Sequence, residues 1–487
     1  MSAVEHGTHA PEPNLRTVVG FLVFCELASG FVQGYYSPLI PRIAESLAIS
    51  DADITWFMTV QTLSAAVCVP LLSKLGDMFG HRRLLRLAMV SVTLGSLVIA
   101  VAPSYGLILG ARVLQGPIAV WLPLEVAIVH GRLSGESARR GVGMLVASLT
   151  GGVILGTLAA GLVASVSPSL TVTSLVPLIP LGISLYAVYA QVPETPFRTP
   201  GRIDVPGFLG LAVVMVTLLS GLGLASAGGV GSSAALILLG LAVVLLVLWV
   251  LWERRTRSPA VDMALVASWK AAPIHLSGFL FGAVLLGGQS PLTTFLSADP
   301  AVTGYGFSAS PGRISLVIAA IGLLATVGAA AFARIAHGIG PRRTLVLGAT
   351  LAMAAHLFIA AFHLQMWQIW GYAVVAGFGM GVLLGGLPAF LAELTPTGQT
   401  GESVGVYNAL RTLGGAAGGA LFAVALGTAT AQGDTFAGVW GYATMWVLCG
   451  VAFLVSAVVL LIPRIGPLGA RDRSTATEQS EGTGTSA

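Results

Sequence analysis

Four ionisable side chains sit inside long apolar runs, Glu26, Arg112, Glu125 and Arg411, and these are the residues whose type and setting could do chemistry. At the centre of a membrane helix each such group costs at least about 2.5–3.5 kcal/mol, so it normally faces a cavity or a partner. Gly30, Gln33 and Ser37 follow Glu26 at +4, +7 and +11, a spacing that lays all four along one helical face. A carboxyl in that polar stripe can exchange a proton with water, and a substrate competing for the same carboxylate would couple the two movements. The same group can also serve as a static ion pair that holds helices together. Arg411 has Asn408 three residues before it and Gly415 four after, again on one face. It can steady a carboxylate in a central cavity, meet an anionic substrate group, or bond neighbouring helices. The two acids and two bases cancel, which gives little reason to prefer a lipophilic cation as substrate. Gln33, Tyr36, Gln61, Gln289, Asn408 and Arg411 are candidate cavity residues, while His275, His356 and His363 lie near predicted helix ends and are not assigned to a proton relay. Cys25, Cys68 and Cys449 fall in apolar runs and read as small buried hydrophobes, with no disulfide framework or metal spacing.

The elements that position these groups are fourteen apolar runs, near 17–41, 54–73, 84–102, 104–129, 141–164, 170–190, 206–226, 233–252, 273–296, 313–336, 344–363, 365–391, 402–427 and 438–462. A hydrocarbon core of about 30 Å takes roughly 20 residues of helix, and barrel strands are too short for such runs. The fold class is therefore an all-α polytopic membrane protein. With the N-terminus inside, 20 of the 24 Lys and Arg fall in cytoplasmic segments; Arg42 and Arg313 lie outside, and Arg112 and Arg411 lie within helices. The positive-inside rule then supports an even helix count with both termini cytoplasmic. The net charge of +4 reflects this topology, so no nucleic-acid role is implied. With 9% charged and 55% hydrophobic residues there is no room for a soluble domain of useful size. The first residues lack the basic, short-cored form of a cleavable signal peptide, so the first helix is expected to stay. No GxxxxGK[ST] loop and no HExxH motif occurs, which argues against an ATP-driven pump and a zinc enzyme.

The segment LSKLGDMFGHRR at 72–83 matches FARIAHGIGPRR at 332–343 with an offset of 260, superposing Gly80 on Gly340, Arg82 on Arg342 and Arg83 on Arg343. A second echo, GES at 135–137 and 401–403, precedes a Gly-rich helix in each half. Together they predict two parallel six-helix repeats. The domains are then 1–190, an N-terminal six-helix bundle; 191–272, cytoplasmic linkers with inserted helices 7 and 8; 273–466, a C-terminal six-helix bundle; and 467–487, a disordered cytoplasmic tail rich in Ser, Thr, Gly and Glu.

With these motifs in view the chain resembles the major facilitator superfamily, and its 6 + 2 + 6 layout resembles the fourteen-helix drug:proton antiporter family. GDMFGHRR resembles the family's loop between helices 2 and 3, with Asp77, Gly80, Arg82 and Arg83 in the motif positions. By that resemblance Asp77 would meet a helix N-terminus or a cationic neighbour across the bundles and latch the cytoplasmic face in the outward-open state. RVLQG supplies Arg112, Gln115 and Gly116, similar to a fourth-helix motif whose Arg is linked to proton coupling. In helix 5, GGVILGTLAAG resembles the antiporter signature through Gly152 and Gly156, with Thr157 in place of its Pro and Ala160 in place of a Gly. Gly152, Gly156 and Ala160 also form a small-residue stripe that suits close helix packing in any membrane protein. Other departures are Ser73, Met78, and Val32 where the family places an Asp in helix 1; Glu26 stands six residues earlier.

The resemblance implies a proton-coupled secondary transporter exporting a small amphipathic organic compound, such as a drug, antibiotic or toxic metabolite, by alternating access. Glu26 and Arg112 would carry the coupling. A proton-coupled importer of a small organic solute on the same fold is the alternative, and a non-transport membrane enzyme or receptor a remote one. The expected partners are the small-molecule substrate, protons and membrane lipid; no cofactor is needed beyond the proton gradient, and a monomer suffices. The expected location is the cell membrane. A potential of about 100 mV supplies roughly 2.3 kcal/mol per charge moved, and each pH unit about 1.4 kcal/mol.

Overall fold

In hydrocarbon only intrahelical bonds satisfy the backbone, so each long apolar run becomes a helix. A computed structural model of the protein describes residues 15–133, 135–190, 192, 204–228, 231–256, 271–395, 400–431 and 433–462. In chain order the helices are α1 (Leu15–Tyr35), α2 (Asp51–Phe79), α3 (His81–Val101), α4 (Tyr105–His130), α5 (Gly135–Val166), α6 (Leu170–Ala190) and α7 (Val205–Gly228). They continue with α8 (Ser233–Glu253), α9 (Ala272–Ser297), α10 (Pro311–Ile339), α11 (Pro341–Ala361), α12 (Met366–Leu394), α13 (Thr400–Gly427) and α14 (Val439–Leu460). Thirteen of these, α2 to α14, are long and apolar enough to cross a membrane, and α1 equals α3 in length at 21 residues. Among the described residues there is no strand, only an isolated bridge between Thr430 and Ala437. The expected tail at 467–487 and most of both linkers lie outside the described residues.

Three expected helices, the first, fourth and sixth, are interrupted at prolines, which lack the N–H an interior turn needs, the sixth between Leu175 and Leu178 at Pro177. The first stops at Tyr35, a 3₁₀ turn spans Ser37–Leu39 around Pro38, and a short helix, Ile40–Leu47, follows. The fourth is broken by a 3₁₀ turn, Gly116–Val120, that contains Pro117.

The internal repeat is visible as matched contacts. In one half α1 packs along α5, and in the other α9 packs along α13; α3 meets α4 and α6 as α11 meets α12 and α14. Gly80 (φ 107°) and Gly340 (φ 89°) both hold positive φ at the α2–α3 and α10–α11 turns, where a side chain would be strained. The superposed arginines also act alike. Arg82 Nε and Nη2 donate to the Val188 and Tyr189 carbonyls at 3.2 and 2.6 Å at the end of α6. Arg342 Nε donates to the Leu460 carbonyl at 2.5 Å at the end of α14. A guanidinium there satisfies carbonyls that the helix end leaves open and complements its dipole.

Buried apolar residues form two main clusters, one per bundle, around Tyr35, Phe57 and Trp121 in the first and Phe281, Phe295 and Trp446 in the second. The inserted α7 and α8 pack on each other, with Trp249 Nε1 donating to the Gly207 carbonyl at 2.8 Å. Ser226 Oγ ties α7 to α13 through the Ala423 carbonyl at 2.9 Å. Successive helices run antiparallel, so the turns at Gly80 and Gly340 share one face, which also carries Arg82, Arg83, Arg342 and Arg343 and is called the basic face below.

Candidate functional site

A cavity of about 320 Å³ lies between the bundles. Its wall takes Gln33 and Ser37 from α1 and the turn after it, Thr150, Ile154 and Thr157 from α5, and Gln289 and Leu292 from α9. Ile318 and Thr326 of α10, His356 of α11, Tyr372 and Met380 of α12, Arg411 of α13, and Trp446 and Cys449 of α14 complete much of it. That mixture, mostly apolar with a few convergent polar groups, is what binding sites for small organic molecules share.

Glycine seams bring the wall together. A Cβ at Gly152 or Gly156 would overlap the main-chain carbonyl of Leu27 or Phe31, so α5 lies directly against the α1 backbone. Thr157, in the expected proline position, donates from Oγ1 to the Val153 carbonyl at 2.8 Å, with the Gly34 carbonyl 3.2 Å away. Ala160 is buried on the same stripe.

Three of the six expected cavity residues line it: Gln33, Gln289 and Arg411. Gln33 Nε2 donates to Ser29 Oγ at 3.1 Å, and Gln289 Nε2 to the Leu285 carbonyl at 3.3 Å. Among the described residues, no hydrogen bond or ion pair reaches the Arg411 guanidinium, and its Nε is buried without a partner. The other three are placed elsewhere. Tyr36 is buried in the first bundle, its ring 5.8 Å from that of Phe57 and 5.5 Å below the Arg112 guanidinium. The 3₁₀ turn Ser37–Leu39 follows directly after it. Gln61 on α2 and Asn408 on α13 are half-buried outside the wall.

The helix 1 stripe is likewise divided. Gln33 and Ser37 face the cavity, Gly30 is pressed onto the Leu149 carbonyl, and Glu26 is enclosed at 1% exposure beside Glu125 of α4. The two carboxyls are near enough to interact electrostatically and through a side-chain hydrogen bond with each other. Nothing in the one-dimensional pattern signals this pair, because α1 and α4 are almost 100 residues apart.

Arg112 is fully enclosed without a carboxylate. Its Nε donates to the Phe57 carbonyl at 2.8 Å, Nη1 to Gln115 Oε1 at 2.6 Å, and its plane covers the Phe57 ring at 4.1 Å. Gln115 Nε2 passes the network on to Ser96 Oγ at 2.8 Å, and Gly116 lets α4 approach Ser64 of α2.

On the basic face, Asp77 does not reach across the bundles. Its carboxylate meets His81, the first residue of α3, at 2.9 Å and stays 59% exposed. Arg83 is exposed. The bundles are joined at the opposite face. There Asp51 Oδ2 accepts from the Ala437 N–H at 3.0 Å and from the Tyr442 hydroxyl at 2.8 Å, and the Asp51 N–H donates to the Thr435 carbonyl at 2.9 Å. Phe295, Tyr305, Tyr442 and Trp446 cluster behind this clamp, with Phe295 and Trp446 edge to face at 4.9 Å between centroids. Sequence reading did not single out Asp51; its only signal was a capped helix start, Ser50 Oγ accepting from the Asp53 N–H at 3.0 Å.

His356, expected near a helix end, lines the cavity with Tyr372. Its Nδ1 lies 2.7 Å from the Ala352 carbonyl and its Nε2 3.2 Å from the Tyr372 hydroxyl. With the ring proton on Nδ1, the phenol donates to Nε2.

Comparisons with known proteins agree with this architecture. A family model described as Major Facilitator Superfamily matches residues 22–419. The chain is 26% identical over 351 residues to the major facilitator superfamily multidrug transporter mfsC of Aspergillus fumigatus, covering 69% of this chain and 63% of that protein's length. It is 26% identical over 452 residues to the tetracenomycin C resistance and export protein of Streptomyces glaucescens, covering 90% and 81%. Among solved structures, that of nucleoside transporter NupG superposes with a TM-score of 0.67 at 13% identity, over 92% of this chain and 99% of that one.

Proposed function

Because the chain belongs to the Major Facilitator Superfamily, we propose that it is a secondary active transporter which exports a small amphipathic organic compound in exchange for protons. The observation that carries this reading is the cavity between two bundles that are clamped at Asp51 on one face, while on the other face, among the described residues, Asp77 meets its near neighbour His81. That asymmetry is what one half of an alternating-access cycle requires. The positive-inside rule favours the basic face on the cytoplasmic side of a cell membrane, and in that orientation the cavity would load from within. Export is favoured by the names of two relatives, a multidrug transporter and a resistance and export protein.

The Glu26 and Glu125 carboxyls supply the proton site. They stand together away from the cavity wall, so one proton shared between them can enter and leave without displacing substrate by contact. The coupling then runs through the α1–α5 seam, which links Glu26 at one end to Gln33 and Thr157 at the other.

The test is transport into proteoliposomes with an imposed pH gradient, using amphipathic cations, anions and neutral compounds. Substrate should accumulate on the acidic side, collapse when a protonophore is added, and be lost in Glu26→Gln. Accumulation on the alkaline side would make the protein a symporter, and gradient-driven transport that survives in Glu26→Gln would remove that residue from the coupling.

A further inference from the structure

Among the described residues, every formal charge on the cavity wall belongs to Arg411, and neither Asp nor Glu lines it. The nearby acids are committed elsewhere, Glu26 and Glu125 to each other inside the first bundle and Asp51 to the clamp. Arg411 is also held in place. A Cβ at Gly282 of α9 would overlap the Arg411 carbonyl and its side-chain stem, so α9 packs flush on the arginine's root and the guanidinium can project toward the cavity. Its buried Nε has no partner. Arg411 as a whole is half-buried, and its unpartnered guanidinium gains charge-assisted hydrogen bonds when an anion docks. Around it the wall offers amide donors from Gln33 and Gln289, and an apolar lining from Leu292, Ile318, Met380 and Trp446.

We propose that this cavity selects a monoanionic amphipathic compound, a carboxylate or phenolate on an aliphatic or aromatic body, with the anionic group bound by Arg411. The assignment rests on the transport reading above and narrows its substrate class. His356 and Tyr372 complete the site as a polar pair bonded to each other. A volume of about 320 Å³ is sufficient for a body of one or two rings.

The test uses the full chain in nanodiscs with no pH gradient and three probes of one shape: 4-phenylbutyrate, 4-phenylbutanamide and 4-phenylbutylammonium. Equilibrium dialysis should show the carboxylate bound at least about tenfold more tightly than the ammonium. Arg411→Gln should abolish the preference, and Arg411→Lys should retain part of it. Equal or tighter binding of the ammonium, no binding of the carboxylate, or a preference that survives in Arg411→Gln would each overturn the proposal. The ranking by the wild-type protein decides the matter even if Arg411→Gln fails to insert. Since binding is read without a gradient, a lost charge preference leaves proton-driven export standing, and a failed transport assay leaves the anion site standing.

Discussion

Arg112 shows how a charge can be tolerated at membrane depth without a counter-charge: carbonyl, amide, thioether and ring faces share it among α2, α4 and the end of α1. Arg112→Ala leaves the buried Gln115 Oε1 without its donor, at a cost of about 1–3 kcal/mol, and strips the cover from the Phe57 ring. Thermal unfolding of the solubilised protein should therefore fall well below wild type, whereas Arg83→Ala, at an exposed position of the same charge type, should leave it unchanged. This contrast was only half legible in the sequence. That Arg112 and Glu26 are buried follows from the apolar runs around them. Which groups they meet depends on helix neighbours that no local period encodes, so the stripe on α1 divided between a cavity and a carboxyl pair, and Tyr36 turned to Arg112. His356 and Tyr372 come together from adjacent helices 16 residues apart, a spacing with no signature of its own.

At the level of elements, the helices were readable because hydrocarbon permits so few alternatives, and their ends were less so because prolines inside apolar runs break a turn without changing hydropathy. The repeat was readable at the Gly80 and Gly340 turns, where positive φ leaves glycine little competition. Gly80→Ala should cost about 1–3 kcal/mol through backbone strain, measured as a drop in unfolding temperature, while Gly143→Ala, where a Cβ meets nothing within 4 Å, should be silent. The seam between α1 and α5 is a stricter constraint. Gly156→Leu must force the two helices apart at Phe31, and the expected result is loss of folded protein on size-exclusion chromatography. A variant that folds with wild-type stability would show that the seam yields more easily than its geometry suggests.

For the whole molecule, the two faces are locked by different means. The Asp51 clamp spans both bundles through three hydrogen bonds, whereas Asp77 and His81 bridge two consecutive helices of one bundle. Asp51→Ala should shift the population toward the form open on the clamp side. Cys449 in the cavity wall is a built-in reporter of that shift. With Cys25 and Cys68 replaced by alanine, a membrane-impermeant maleimide added from the clamp side should label Cys449 several-fold faster in Asp51→Ala, and an unchanged rate would show that other contacts keep that face shut. The α1–α5 and α9–α13 seams carry a different kind of consequence. Since many of their contacts are made by main-chain carbonyls against glycines, they hold each pair of helices together with little dependence on neighbouring side chains. A lineage can then exchange most of its cavity and lipid-facing residues, and so change its cargo, while inheriting the same hinge.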